Sequence, residues 1–283
     1  MSSFATQANR VGSALAENGH RLQQASACRW TFALLNGARH AVHARIDDGW
    51  LWLRTDRREP IAVDRLCETL AKNHALSGAA KLVARLDHDL ELRAELPLDD
   101  DIDLGARVRQ AIAGFQSHWE SPATPAVPGG EVAPADWKRC CEESGWPCTE
   151  RTSGRLTVAL ETTPVLHATI DPAGPGGDVF IDLEDFGAAP ATCRAAAAGM
   201  LLEVNRLVRM ARATFVERNG ATHARFEVRF PDFPNPAELD AAFGSLSTAC
   251  AFVTHELRAL LNEDIARTFL AVRGWTAETN NPA

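Results

Sequence analysis

A chain of 283 residues, 46% of them hydrophobic, is too long for one ordinary core and suits two domains of roughly 100–150 residues each. Its net charge of −8 speaks against nucleic acid, which needs Lys and Arg to displace phosphate counterions, and against an anionic membrane surface. No run of about 18 apolar residues is present to span a bilayer, and the opening MSSFATQANR has no apolar signal region. Seven cysteines without regular spacing predict reduced thiols in a cytoplasm rather than a disulfide framework. Tyrosine is absent, and no physical reason for that is evident.

In chain order, the pattern predicts a helix over 5–18, ending at Gly19, where glycine suits a left-handed cap. Strands follow near 28–35, 39–47 and 49–55. Val63, Leu66, Cys67, Leu70 and Ala71 then recur at helical spacing. A hairpin spans 80–97, and a last helix starts near 102 with Val108, Ile112, Phe115 and Trp119 on one face. ESPATPAVPGGEVAP (120–134) holds four prolines and two glycines in fifteen residues, which no helix or central strand tolerates, so it reads as a linker. The same order then repeats. A helix over 135–144 ends at Gly145, strands fall near 154–160, 164–171 and 178–184, and a helix runs over 190–209. A hairpin over 211–230 turns at Asn219-Gly220, and a final helix begins at Asn235-Pro236 and continues to about 272.

The two halves also match residue by residue. VHARID (42–47) faces LHATID (166–171), FAL (32–34) faces LTV (156–158), and AENGH (16–20) parallels EESGW (142–146). Pro60 and Pro190 precede helical patterns, while Pro97 and Pro231 end strand patterns. The offset grows only in loops, where insertions belong.

Within DGWLWLRTD (48–56), Leu51 and Leu53 point to one face of a strand, Trp50 and Trp52 to the other. The paired prolines align Leu51 and Leu53 with Ile181 and Leu183, and Trp50 and Trp52 with Phe180 and Asp182. The leucines are therefore the core pair, and the outer face carries Trp50, Trp52, His43 and Arg45. Two tryptophans offer roughly 300–500 Å² of contact surface, more than a monomer readily leaves bare. Either the rest of the chain or a protein partner covers them, since Trp and Arg are favoured interface anchors. Trp50, Trp52, His43, Arg45 and Phe180 are the candidate partner-binding residues.

EESGWPCTERTSGRLTVAL (142–160), LLEVNRLVRMARATFVERNGATHARFEVRFP (201–231) and the helix that follows resemble the type III secretion chaperone-like fold, which includes the CesT-type class I chaperones and the YbjN family. In such families a helix ending LxxxN leads into a hairpin and a terminal helix. The first half departs from this at LAKNHALSG (70–78), where Asn73 is read as out of register with Asn205. The resemblance implies two tandem α-β-β-β-α-β-β-α units of the α+β class, 1–119 and 135–283, each a small antiparallel sheet with helices. It implies that they pack as a pseudo-dimer, whether the chain stays a monomer or forms a homodimer. It also implies a non-catalytic protein that holds a client on exposed sheet and helix surfaces without ATP or another cofactor. The alternatives are a YbjN-like stress or regulatory adaptor for a folded partner, and an enzyme.

Signals for chemistry are sparse. No GxxxxGK[ST], GxSxG or HExxH occurs. PAGPGG (172–177) joins two strands, whereas a phosphate cradle needs a helix N-terminus behind it. His43 and His167 stand at equivalent places, but neither has an evident acidic or metal-ligating partner, and His40 falls on the opposite face from His43. Cys140, Cys141 and Cys148 fit zinc spacing poorly, and a reactive thiol among them would need a lowered pKa. DDDID (99–103) lacks the ligand alternation and terminal Glu of a calcium loop and reads as the acidic start of a helix. No catalytic, cofactor-binding or metal-binding residue is therefore assigned.

Overall fold

The structure is a computed structural model. It describes residues 4–34, 40–119, 134–151, 153–160, 165–173, 176–218, 220–230 and 232–275. The first half runs through helix α1 (Phe4–Asn18) and strands β1 (His20–Ser26), β2 (Arg29–Ala33), β3 (Ala41–Asp47), β4 (Trp50–Thr55) and β5 (Glu59–Pro60). Helix α2 (Leu66–Lys72), strands β6 (Lys81–Ala84) and β7 (Asp89–Pro97), and helix α3 (Leu104–Trp119) complete it. The second half has α4 (Pro134–Glu143), β8 (Cys148–Glu150), β9 (Leu156–Leu160), β10 (Leu166–Asp171) and β11 (Asp178–Asp185). It continues with α5 (Ala191–Val204), β12 (Arg212–Arg218), β13 (Ala221–Arg229), α6 (Pro236–Ala259) and α7 (Glu263–Val272). The linker and Asn219 and Pro231 lie outside the described residues.

Both sheets are antiparallel and share one strand order. From the hairpin edge they run β6-β7-β4-β3-β2-β1 and β12-β13-β11-β10-β9-β8, with the short β5 pairing the near end of β7. The chain is thus α+β in two similar halves. Each sheet has one strand more than expected at its outer edge, β1 and β8. In HRLQQAS (20–26), residues 21–26 are exposed apart from the half-buried Leu22, so the strand has no buried face to write an alternation into the sequence. Among the described residues no helix is long and apolar enough to cross a membrane.

The core follows from alternation. Leu51 and Leu53 are buried beside Val42, Ala44, Trp30, Phe32, Leu92, Ala94 and Leu96. Val11 and Leu15 of α1 and Val108, Ile112 and Phe115 of α3 close that face. The second core repeats this, with Trp137 and Cys141 from α4 and Leu239, Phe243, Leu246 and Cys250 from α6. Gly145 takes the left-handed cap at φ +78. Gly19 does not, because its role is steric: a Cβ there would lie 2.7 Å from Phe32 Cδ2.

Three readings of register change. Trp52 pairs with Arg45 as Phe180 pairs with Thr169, and Trp50 pairs with Asp47 as Asp178 pairs with Asp171. Trp52 therefore matches Phe180, and Trp50 matches Asp178, two residues from the alignment that the prolines suggested. A slip of two leaves every side chain on its face, so the leucines still point inward. Likewise Phe32, opposite Val42, matches Leu160, opposite Leu166, rather than Leu156. The last helix breaks at Leu260–Asn262, where the Asn262 side chain caps α7 by accepting from Asp264 N and Ile265 N. The expected Asn235 cap is a full capping box with Glu238.

Asn73 and Asn205, read as out of register, hold matching posts at the ends of α2 and α5. Asn73 Oδ1 accepts from Leu82 N at 2.6 Å, and Asn205 Oδ1 accepts from Ala213 N at 2.6 Å. Each Nδ2 donates to both Leu82 O and Ala213 O, so the two amides tie strand β6 of one half to strand β12 of the other. Both are wholly buried.

Candidate binding site on the outer face of the first sheet

The outer sheet faces divide into two zones. Near the hairpins, each half covers the other. Lys81 Nζ lies 2.7 Å from Glu95 Oε2, both wholly buried, and donates across to Val208 O (2.5 Å) and Ala211 O (3.2 Å). Arg212 Nε donates to Glu227 Oε1 at 3.0 Å, and its NH1 reaches Gly78 O and Ala80 O of the first half. Burial pushes the Lys81 amine down, and it pushes the Glu95 carboxyl up despite Lys81 beside it. Burial would also raise Glu227, but Arg212 and His74 outweigh it and hold that carboxyl down at about 2. On the rim of the contact, Arg107 grips Glu238 through Nε (2.5 Å) and NH2 (2.7 Å).

Trp50 belongs to this covered zone. Arg209 of the second half lies over its ring at 5.5 Å and pairs with Asp48 at 3.1 Å. The second face of DGWLWLRTD is thus half answered by the chain itself.

Trp52 lies beyond the cover. It forms part of an open groove of about 360 Å³ with Arg29, Thr31, His43, Arg45, Arg54 and Arg93. Sheet register sets these residues in two adjacent rows. One runs Thr31, His43, Arg54, Arg93, Lys81, and the next runs Arg29, Arg45, Trp52, Glu95. Arg45 stacks over the Trp52 ring at 4.9 Å, and His43 Nδ1 meets Thr31 Oγ1 at 3.3 Å. The Trp52 indole N–H is buried without an acceptor among the described residues. Glu91 holds Arg93, and Asp47 contacts Arg45 at 3.3 Å. The side chains of Arg29 and Arg54 are exposed and form no hydrogen bond or ion pair among the described residues.

The second half answers differently at the same positions. Thr157, Thr169 and Phe180 stand where the first half has Arg29, Arg45 and Trp52, and Asp182 stands where it has Arg54. Arg225 lies over Phe180 at 3.7 Å and donates to Asp182 at 2.7 Å, leaving Phe180 only 4% exposed. Phe180 was expected on a partner-binding surface, but its own half covers it. The structure therefore gathers Trp52, His43 and Arg45, sets Trp50 aside for the contact between halves, and shuts Phe180 in. Arg29, Arg54 and Arg93 are additions. Strand alternation places Arg54 beside Trp52 and Arg93 among LELRAEL, but only the strand order brings them together.

The remaining candidates do not converge on this groove. His167 is absent from its lining, and Cys140 and Cys141 are buried near α6, with the Cys140 thiol pointing at Pro234 O. Burial raises the Cys140 thiol to about 11 and raises Cys141 further. Asp103 caps α3 by accepting from Ala106 N at 3.0 Å. No group of three or more His, Cys, Asp or Glu among the described residues is arranged to hold a metal.

No family model and no curated protein matches the chain. One solved structure, the di-domain ARO/CYC StfQ from the steffimycin biosynthetic pathway, aligns over 97% of both chains at 11% identity, with a TM-score of 0.14. At that score the likeness carries no weight for fold or function.

Proposed function

We propose that the chain is a non-catalytic binding protein, secretion-chaperone-like in plan, that holds a segment of a protein client on the outer face of its first sheet. One observation carries the reading. The groove around Trp52 is open in the first half, while its counterpart around Phe180 is closed by Arg225 and Asp182. The fold thus has a way to shut this face, and uses it once. A concave groove of about 360 Å³ takes side chains of an extended segment more readily than the face of a folded partner. That favours a client segment over the YbjN-like adaptor alternative. The cytoplasm is the proposed location.

The test is capture from extracts of the native cell with wild-type protein and with Trp52→Ala. Trp52 is an outer-face residue, so the variant should fold with an unchanged circular dichroism spectrum. It should lose a client that the wild type enriches. Undiminished capture of that client by the folded variant would refute the proposal.

A further inference from the structure

We infer that the groove selects an acidic, extended segment, whose Asp and Glu carboxylates lie against the guanidinium groups of Arg29, Arg45 and Arg54. This rests on the binding reading above and names the chemistry that reading leaves open. The first support is a conflict inside the sheet. Arg29 stands directly opposite Arg45, Arg54 opposite Arg93, and Arg93 opposite Lys81. Like charges facing across strands are destabilising. The carboxylates nearby relieve only part of this: Glu91 is taken by Arg93 and Glu95 by Lys81, and Asp47 reaches Arg45 alone. Arg29 and Arg54 keep their charge uncompensated among the described residues.

The second support is the other half, which serves as an internal control. Thr157, Thr169 and Asp182 occupy the three matching positions, so the fold itself has no need of arginine there. Where local choices conflict with stability without a structural return, function is the usual reason.

The third support is charge. The chain carries −8 overall, so two unpaired arginines beside Arg45 on one face are a local reversal. Screening over about 8 Å at physiological ionic strength lets those near charges outweigh the distant acidic body. A long polyanion such as a nucleic acid would extend past the groove and meet that body, whereas a short run of carboxylates would not. Guanidinium forks match carboxylates in bidentate geometry.

The experiment measures fluorescence anisotropy of labelled peptides of about ten residues, one alternating Glu and Ala, the other with Gln for Glu. The Glu peptide should bind wild type at least about tenfold more tightly than the Gln peptide, and should weaken as salt rises. The triple variant Arg29→Thr, Arg45→Thr, Arg54→Asp copies the second half. It should lose about tenfold or more in affinity while its thermal midpoint stays or rises, because the facing like charges are gone. Equal binding of the Gln peptide, or unchanged affinity in the triple variant, would overturn the inference. Inorganic phosphate binding as tightly as the Glu peptide would overturn it too, in favour of a small-anion site. A wild type that ignores the Glu peptide yet captures its client through Trp52 would sink the acidic segment and leave the binding reading intact.

Discussion

Replacing Arg212 by Met removes a buried cation that donates to Gly78 O and Ala80 O of the other half. Arg212 and Glu227 are each 1% exposed, so nothing but protein surrounds the carboxylate left behind. The magnitude follows from Glu227 itself. Its carboxyl sits at about 2 against an ordinary 4.5, and at ~1.4 kcal/mol per pH unit the folded protein favours the ionised form by about 3 kcal/mol, a preference that Arg212, His74 and Arg229 supply together. Stripping one partner from a buried pair costs about 3–5 kcal/mol in general, and here Gly78 O and Ala80 O lose their donor as well. The expected loss is therefore ~3–5 kcal/mol, a large part of a typical ~5–15 kcal/mol stability. Urea unfolding at neutral pH measures it as a shift of midpoint at unchanged slope. Arg212→Met with Glu227→Leu should recover at least half of the loss, since the stranded charge goes with its partner. A single variant that costs under about 1 kcal/mol, or a double variant as unstable as the single, would refute the view that Arg212, held by Glu227 of its own half and donating to Gly78 O and Ala80 O of the other, is a main buried tie between the halves.

Three further outcomes are expected. Because the Glu227 carboxyl is held below its unfolded value, its contribution is complete above pH 4.5 and is lost as pH falls toward 2; acid titration of stability should show that slope in wild type and a flatter one in Arg212→Met. Asn73→Ala and Asn205→Ala should each cost ~1–3 kcal/mol, by leaving the buried N–H of Leu82 or Ala213 without its acceptor. The double variant should exceed their sum by at least ~0.5 kcal/mol, because only then do Leu82 O and Ala213 O lose both donors; additivity in urea unfolding would contradict the shared bridge. Cys140 and Cys250, raised by burial to about 11 and about 12, together with the buried Cys141 and Cys193, should resist a thiol-titrating reagent in the native protein and react with it in denaturant. Rapid native labelling of all seven cysteines would count against the packing of α4 and α6.

Alternation and helical spacing are local, and what they could encode was legible. They placed Leu51 and Leu53 in the core, turned Trp50 and Trp52 outward, and gave two α+β units in one order. Edge strands β1 and β8 escaped because an exposed strand buries no face and leaves no period. The break before α7 escaped because Asn262 interrupts an apolar stripe that resumes beyond it. Asn73 and Asn205 stand 132 residues apart in the sequence, and only the meeting of β6 with β12 reveals that they do one job. The same holds for the fate of the outward side chains. Sequence determined which way Trp50, Trp52 and Phe180 point, since that depends only on the pleat. Tertiary structure alone decided that Arg209 covers the first, Arg225 shuts in the third, and Trp52 stays in an open arginine-lined groove, because cover depends on which distant residues the strand order and the packing of two halves bring to the same place.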